Sequence, residues 1–203
     1  LIGLTSGIGV TSQSNMPAAT GLRKALFNIT SSISVDGYTS GDYRQWGGCM
    51  GTLLFLVGLF GGCAGSTSCS IEIFRYQLAL ASISTQLRRI RSPNGVFQPR
   101  YDGRKVDEDV LTSVMSFFML FMVTLAVVAT LLGLTGLDFI TSLSAASAAL
   151  ANIGPGLGDQ IGPAGNFAGL NDASKWILSI AMLIGRLELL AVYTLLTLKF
   201  WRA

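Results

Sequence analysis

The sequence contains no histidine, and this absence removes several kinds of active site. Without imidazole, the chain can form neither a serine–histidine catalytic pair nor a histidine-ligated metal site. The three cysteines, Cys49, Cys63 and Cys69, lie in or beside apolar segments without the spacing of a metal site, so we interpret them as small packing residues. Charged residues make up only 12% of the chain, against about 25% in a typical soluble domain. The sequence therefore argues against a soluble domain and against a zinc-type or serine–histidine enzyme.

The sequence contains three long apolar runs. Residues 112–132 (TSVMSFFMLFMVTLAVVATLL) form an uninterrupted, uncharged run, and residues 174–198 form a second run that contains Arg186 and Glu188. A third run, 45–82, is interrupted in its middle by small residues. About 18 consecutive apolar residues are enough to cross a membrane as a helix. The composition therefore predicts an all-α membrane protein.

Basic residues cluster between two of these runs and near the end of the chain. They are Arg88, Arg89, Arg91, Arg100, Arg104 and Lys105 in the linker, and Lys199 and Arg202 in the last segment. The positive-inside rule places both clusters on the cytoplasmic side of a membrane. A nucleic-acid-binding patch is the alternative, which the apolar flanks disfavour. We therefore interpret the net charge of +3 as a sign of topology.

Two parts of the sequence repeat one pattern. Residues 25–43 resemble residues 141–160, and a shift of 117 positions pairs their glycines. Each part has a short Ser/Ala-rich run, a glycine-containing turn, a polar loop and then a long apolar segment. We expect a unit of span, short helix, glycine loop and span, and because the first copy lacks its opening span we expect a truncated chain. The aligned pairs are Gly37 and Gly154, Gly41 and Gly158, and Asp42 and Asp159.

The short helical runs, 22–34 and 138–151, cannot cross a hydrocarbon core of about 30 Å. Irregular backbone at membrane depth is tolerated only inside protein or beside water. We therefore expect re-entrant helices, the second of them capped by Asp138, whose C-terminal ends carry partial negative charge that favours a cation. Two surface loops between ordinary membrane helices are the alternative. A glycosylation sequon at Asn28 falls in the first short helix, and we interpret it as coincidence.

Five motifs, in this order, resemble the membrane subunit of Trk-type potassium uptake systems in the Trk/Ktr/HKT superfamily. They are SVDGYTSGDY, GGCAGSTSCS, SPNGVFQPRYDGRKV, ALANIGPGLG and GRLELLAVYTLL, and the resemblance covers nearly the whole chain. It implies a fold of repeated units around a pore, each a transmembrane helix, a re-entrant pore helix, a filter loop and a second transmembrane helix. It also implies that residues 1–84 end repeat three, residues 85–111 form a cytoplasmic linker, and residues 112–203 form repeat four.

The resemblance assigns the two glycine loops to an ion selectivity filter. Carbonyl oxygens in such a filter replace the hydration shell of a potassium ion, and a glycine can adopt the left-handed backbone that turns a carbonyl toward the axis. The filter residues would be Val35, Asp36, Gly37, Tyr38 and Thr39, and Asn152, Ile153, Gly154, Pro155 and Gly156. Potassium would bind at Val35, Asp36, Asn152 and Ile153.

The two loops depart from the T-V-G-Y-G pattern of potassium-channel filters, most clearly at Asp36, Asn152 and Pro155. Only the central glycine is common to the two copies. Asp36 could attract cations or could cap local backbone behind the filter, and we favour the cap.

The small-residue segment at 61–70 would be a gate below the filter. Its exposed peptide groups cannot face lipid but can be satisfied beside a water-filled pore. A phosphate-binding loop is excluded because no lysine follows the glycines, whereas a membrane serine protease with a Ser–Lys pair at Ser66 and a simple packing kink are alternatives. The gate residues implied by the resemblance are Gly61, Gly62, Cys63, Ala64, Gly65, Ser66, Thr67 and Arg186.

Arg186 lies within an apolar run, where an arginine is costly unless it is paired or hydrated. The resemblance places it below the filter, where its five N–H donors could bind carbonyls of the gate and its charge would oppose cations. A buried ion pair with Glu72, or a local contact with Glu188, is the alternative.

Potassium transport without enzymatic activity is the predicted function, with potassium as the transported ligand and no covalent cofactor. The resemblance implies a multi-pass homodimer in the bacterial inner (plasma) membrane, with the linker and C-terminus cytoplasmic and a nucleotide-binding regulatory subunit of the Trk/Ktr type as partner, and no nucleic acid. An ion-coupled carrier with a broken helix and a non-transporting scaffold are the alternatives. Neither of them requires the two glycine loops to expose carbonyls at one depth on a common axis.

Overall fold

The structure is a computed structural model that describes residues 18–42, 48–59, 71–92, 95, 97–101, 103–158, 160–163, 165–187 and 189–196. In this part of the chain, seven α-helices and one two-stranded hairpin follow one another. The helices are α1 (Ala18–Ser34), α2 (Gly48–Leu59), α3 (Ile73–Arg91), α4 (Glu108–Leu134), α5 (Phe139–Leu150), α6 (Asp172–Arg186) and α7 (Leu189–Leu196). The strands are β1 (Arg100–Tyr101) and β2 (Arg104–Lys105), and a short 3₁₀ turn covers Phe167–Gly169.

Helix α4 has the length and composition of a membrane-crossing helix. Its 27 residues extend about 40 Å and contain the whole predicted run 112–132. Among the described residues it is the one helix that is long and apolar enough to cross a bilayer. One face packs into the protein and the opposite face exposes apolar side chains such as Met119, Met122 and Val127, as expected of a helix beside lipid. The packed face consists of Val114, Phe117, Phe121, Thr124, Val128 and Leu132.

Helix α5 forms the centre of the fold although it is only 12 residues long. At about 18 Å it cannot cross a membrane. It packs against α4 on one side and α6 on the other, and nine of its residues are buried, so it is not part of a surface loop. Its alanines and serines allow the neighbouring helices to approach closely. Asp138 occupies the predicted N-cap position, but its carboxylate makes no capping hydrogen bond, and its carbonyl accepts from the Ser142 N–H at 2.8 Å.

Helix α1 is the counterpart of α5 in the first copy of the repeat. It ends at Ser34, where the sequence predicted it to end, but begins at Ala18, four residues before the predicted start. Its 17 residues extend about 26 Å, which is still short of a crossing. Both short helices therefore end immediately before a glycine loop.

The last apolar run, 174–198, contains two helices in the part that the structure describes. Helix α6 ends at Arg186, and α7 begins at Leu189. The break follows Gly185, a weak helix former, and Arg186, a charged residue whose side chain the structure exposes. Apolar periodicity alone could not locate this interruption, because the residues on both sides of it are apolar.

Helices occupy both ends of the basic linker, 85–111. Helix α3 continues to Arg91 and α4 begins at Glu108. Three arginines in the last turn of α3, and Glu108 and Asp109 in the first turn of α4, complement the dipoles of the two helices. Between the helices, β1 and β2 pair antiparallel around a turn at Gly103, where φ is +75°.

Candidate functional site

The two glycine loops lie against each other in the structure. A β-carbon placed on Gly37 would lie 2.5 Å from the carbonyl oxygen of Ile153, and one placed on Gly154 would lie 3.8 Å from the α-carbon of Gly37. The loops are therefore in contact at the two glycines that the sequence alignment pairs, although 117 positions separate them.

The two loops also share one backbone conformation. Val35 and Asn152, equivalent in the repeat, have φ of +63° and +54°, and Gly37 and Gly154 have +73° and +105°. The residue between each pair has an ordinary negative φ. When left-handed and right-handed backbone conformations alternate along a chain, successive carbonyls point to the same side of it. In a β-strand, successive carbonyls point to opposite sides. Two short rows of carbonyl oxygens with this arrangement are suited to binding a dehydrated cation.

Each loop begins at the C-terminal cap of its short helix. The N–H of Asp36 donates to the carbonyl of Ser31 at 3.2 Å, and the N–H of Ile153 donates to the carbonyl of Ala148 at 3.0 Å. In both copies this bond closes a Schellman motif around a left-handed residue. The motif directs the chain sharply out of the helix at its partly negative end.

Val35 is a costly residue at that left-handed position. Asparagine adopts this backbone readily, as Asn152 does, but a β-branched residue at positive φ is rare and costs about 1–2 kcal/mol. The surrounding contacts must therefore impose the conformation on the first loop. Strain of this kind is commonly found at functional sites.

A cavity of about 460 Å³ lies where the helix ends and the loops meet. It is lined by Ser34, Val35, Asp36, Asn152 and Arg186. The carboxylate of Asp36 accepts a hydrogen bond from the hydroxyl of Ser34 at 2.6 Å and is exposed. The backbone cap that we favoured for Asp36 is therefore wrong, because its carboxylate bonds to a hydroxyl and lines the cavity. An acidic and a basic side chain share this cavity.

Arg186 reaches the cavity from the C-terminal end of α6 and is exposed there. The predicted alternative, a buried pair with Glu72, is wrong, because the Glu72 carboxylate pairs with Arg75 at 3.2 Å. The other suggested partner, Glu188, lies outside the described residues.

The predicted gate segment, Gly61, Gly62, Cys63, Ala64, Gly65, Ser66 and Thr67, also lies outside the described residues. The helix after it, α3, packs against α4, and one hydrogen bond joins α3 to the end of α2. The Tyr76 hydroxyl donates to the carbonyl of Leu59 at 3.5 Å, and the guanidinium carbon of Arg75 lies 4.0 Å from the centroid of the Phe117 ring. The ends of α2 and α3 are thus held close together.

Three contacts hold the loops in place. The Thr39 hydroxyl donates to the carbonyl of Pro163 at 2.8 Å and joins the first loop to the segment after the second. The Asn152 side-chain amide donates to the carbonyl of Met182 at 3.1 Å and joins the second loop to α6. The N–H of Gly156 donates to the carbonyl of Ile161 at 2.8 Å and folds the second loop back on itself.

The ring of Pro155 packs near Gly37, whereas the side chain of Tyr38 is 72% exposed. The structure thus brings the central parts of the two loops together and directs Tyr38 away from the packed core.

Gly185 is a site residue that sequence reasoning missed. A β-carbon there would lie 2.8 Å from the carbonyl carbon of Leu150, the last residue of α5, and closer still to its oxygen. Helix α6 therefore packs directly on the backbone that precedes the second loop. A glycine beside an arginine in an apolar helix is the only signal of this contact in the sequence.

Comparison with known proteins decides the family. The sequence model of the TrkH family, described as a cation transport protein, matches residues 5–201. The chain belongs to the TrkH family. This confirms the resemblance found in the five motifs, and the TrkH family is a family of cation transporters and not of enzymes.

Individual relatives agree with this membership. The chain is 47% identical over 186 residues to the Trk system potassium uptake protein TrkI of Halomonas elongata, and 34% identical over 185 residues to TrkH of Salmonella typhimurium. These matches cover 92% and 91% of this chain, but only 38% of each relative. The crystal structure of the potassium transporter TrkH from Vibrio parahaemolyticus has a TM-score of 0.89 and 30% identity, and the match covers 98% of this chain and 42% of that one. The predicted all-α membrane fold is confirmed by this likeness.

Proposed function

We propose that this chain supplies two filter loops of a potassium transporter in the bacterial inner membrane. The contact between Gly37 and the second loop carries the proposal, because a shared left-handed conformation then presents carbonyls of both loops in one place. The names of the relatives, which are potassium uptake proteins, support potassium as the transported ion. The ion would be coordinated by carbonyls of Val35, Asp36, Asn152 and Ile153.

The cavity where the loops meet would allow the passage of a cation to be controlled. The carboxylate of Asp36 attracts a cation toward the loops, whereas the guanidinium of Arg186 repels it from the same space. We propose that Arg186 and the segment 61–67 form the gate, with the arginine acting as the electrostatic barrier of the closed arrangement. A homodimeric assembly, a nucleotide-binding regulatory subunit on the linker and a cytoplasmic C-terminus are further parts of this proposal.

An ion-coupled carrier remains the second candidate, because α6 and α7 together form an interrupted helix of the kind found at carrier sites. The contact between the glycine loops favours the filter, since a carrier site does not require two equivalent loops to meet.

Uptake of rubidium, a potassium substitute, tests the function. The full-length protein that contains this chain is expressed in bacterial cells that lack their own potassium uptake, and rubidium and sodium uptake are measured with the amount of membrane protein. We expect rubidium uptake well above that of empty-vector cells and above sodium uptake. Equal uptake of the two ions, or none above the empty vector when the protein is present, would refute the proposal.

The same assay tests the arginine barrier. Arg186→Ala should raise rubidium uptake severalfold, because it removes the one positive charge among the described residues that line this cavity. Arg186→Lys retains the charge and should remain close to wild type. If the alanine variant transports no faster than the lysine variant, the charge of Arg186 is not the barrier.

A further inference from the structure

Each glycine loop donates a backbone hydrogen bond to a polar side chain of the short helix that precedes it. In the first copy this side chain is Asn28 of α1, which is only 1% exposed. Its side-chain carbonyl accepts from the N–H of Ser40 at 3.1 Å, and its amide group donates to the Ser40 hydroxyl at 2.9 Å. The amide also donates to the carbonyl of Lys24 at 2.9 Å, so the whole side chain is fixed.

The second copy has the same attachment with a different residue. The Ser144 hydroxyl of α5, 3% exposed, accepts from the N–H of Leu157 at 3.1 Å and donates to the carbonyl of Thr141 at 3.3 Å. Ser40 and Leu157 are equivalent at the shift of 117, and each lies three positions after its central glycine. The repeat therefore preserves the bond to the loop although it preserves neither the donor nor the acceptor residue type.

We propose that Asn28 and Ser144 are positioning residues that hold the filter loops at the spacing that selects potassium over sodium. Val35 of the first loop is strained, and its conformation persists only where surrounding contacts determine it. The helix cap fixes the start of each loop, and the bond to Asn28 or Ser144 fixes its end. Without the second bond the N–H loses its acceptor, and the loop can relax around its glycine. This role rests on the proposed transport function.

Ser144 and Ser147 offer a matched test on one helix. Both are buried serines of α5, and replacement by alanine removes one oxygen from each. The Ser147 hydroxyl bonds only within the helix, to the carbonyls of Leu143 at 2.9 Å and of Ser144 at 3.0 Å. In the full-length protein, Ser144→Ala should lower the ratio of rubidium to sodium uptake by roughly two- to tenfold, the factor that corresponds to one net hydrogen bond. Ser147→Ala should leave the ratio unchanged.

Asn28 and Thr30 provide a second comparison, in the first copy. Thr30 is exposed, and its hydroxyl bonds locally to the carbonyl of Leu26 at 2.9 Å. Asn28→Leu should lower the selectivity ratio, and Thr30→Val should not. If Ser144→Ala fails to reach the membrane, this second pair tests the positioning role. If Asn28→Leu also fails to reach the membrane, these residues have a folding role instead.

Equal ratios in the two serine variants, with wild-type uptake intact, would overturn the positioning role and leave the transport function standing. Absence of selective uptake by the wild type would overturn the transport function and this role together.

Discussion

Gly37→Ala is expected to abolish selective rubidium uptake by the full-length protein, whereas Gly103→Ala should leave it close to wild type. The two glycines have nearly the same φ, +73° and +75°, so alanine carries the same left-handed cost of about 1–2 kcal/mol at each. Their surroundings differ. The new β-carbon at position 103 would meet nothing within 4 Å, but the one at position 37 would lie 2.5 Å from the carbonyl oxygen of Ile153.

That oxygen belongs to the second loop, so the substitution must push the two loops apart or turn the carbonyl away. Either change removes an ion ligand from its position. The measurement is the ratio of rubidium to sodium uptake, normalised to membrane protein. Wild-type selectivity in Gly37→Ala would contradict the account, because the filter would then tolerate a side chain between its loops. A loss of selectivity in Gly103→Ala of equal size would show that backbone strain alone explains the effect.

Gly185→Ala should destabilise the protein more than other single methyl additions. The new β-carbon would lie 2.8 Å from the carbonyl carbon of Leu150 and 3.0 Å from its α-carbon. Main-chain atoms cannot rotate away as a flexible side chain can, so α6 must separate from α5. Overpacking of this kind costs about 1–3 kcal/mol and occasionally more. Because Leu150 lies two positions before Asn152, the displacement would also reach the second loop.

Gly133→Ala is the matched control for this substitution. Gly133 is also a helical glycine, but a β-carbon there would meet nothing within 4 Å. Alanine is the better helix former by about 1 kcal/mol, so this variant should be as stable as wild type or slightly more so. Thermal unfolding of the purified full-length variants in detergent gives the comparison. A midpoint for Gly185→Ala that equals that of Gly133→Ala would show that the two helices are not packed backbone to backbone.

The short helices and their glycines could be predicted because their signals are local. A 12-residue run that is too short to cross a membrane, followed by a glycine, is visible in α5 without any knowledge of packing. The alignment of Gly37 with Gly154 needed only the repeat. Their contact is a tertiary property that became visible in the structure.

Other features depend on contacts that no local pattern contains. Val35 is a poor candidate for a left-handed residue by intrinsic preference, and the helix cap and loop contacts override that preference. The equivalence of Asn28 and Ser144 is hidden because an amide and a hydroxyl from neighbouring positions perform the same task. The cavity that Asp36 and Arg186 share is hidden for the same reason, because α1, α6 and both loops form it together.

Location of rubidium in crystals of the full-length protein is the most direct test of the central claim. Crystals would be soaked in a rubidium salt, and an anomalous difference map would be calculated. We expect a peak within coordination distance of the carbonyl oxygens of Val35, Asp36, Asn152 and Ile153. A map with no peak at these carbonyls, or with rubidium bound only elsewhere along the transporter, would contradict the assignment of the two glycine loops as an ion filter.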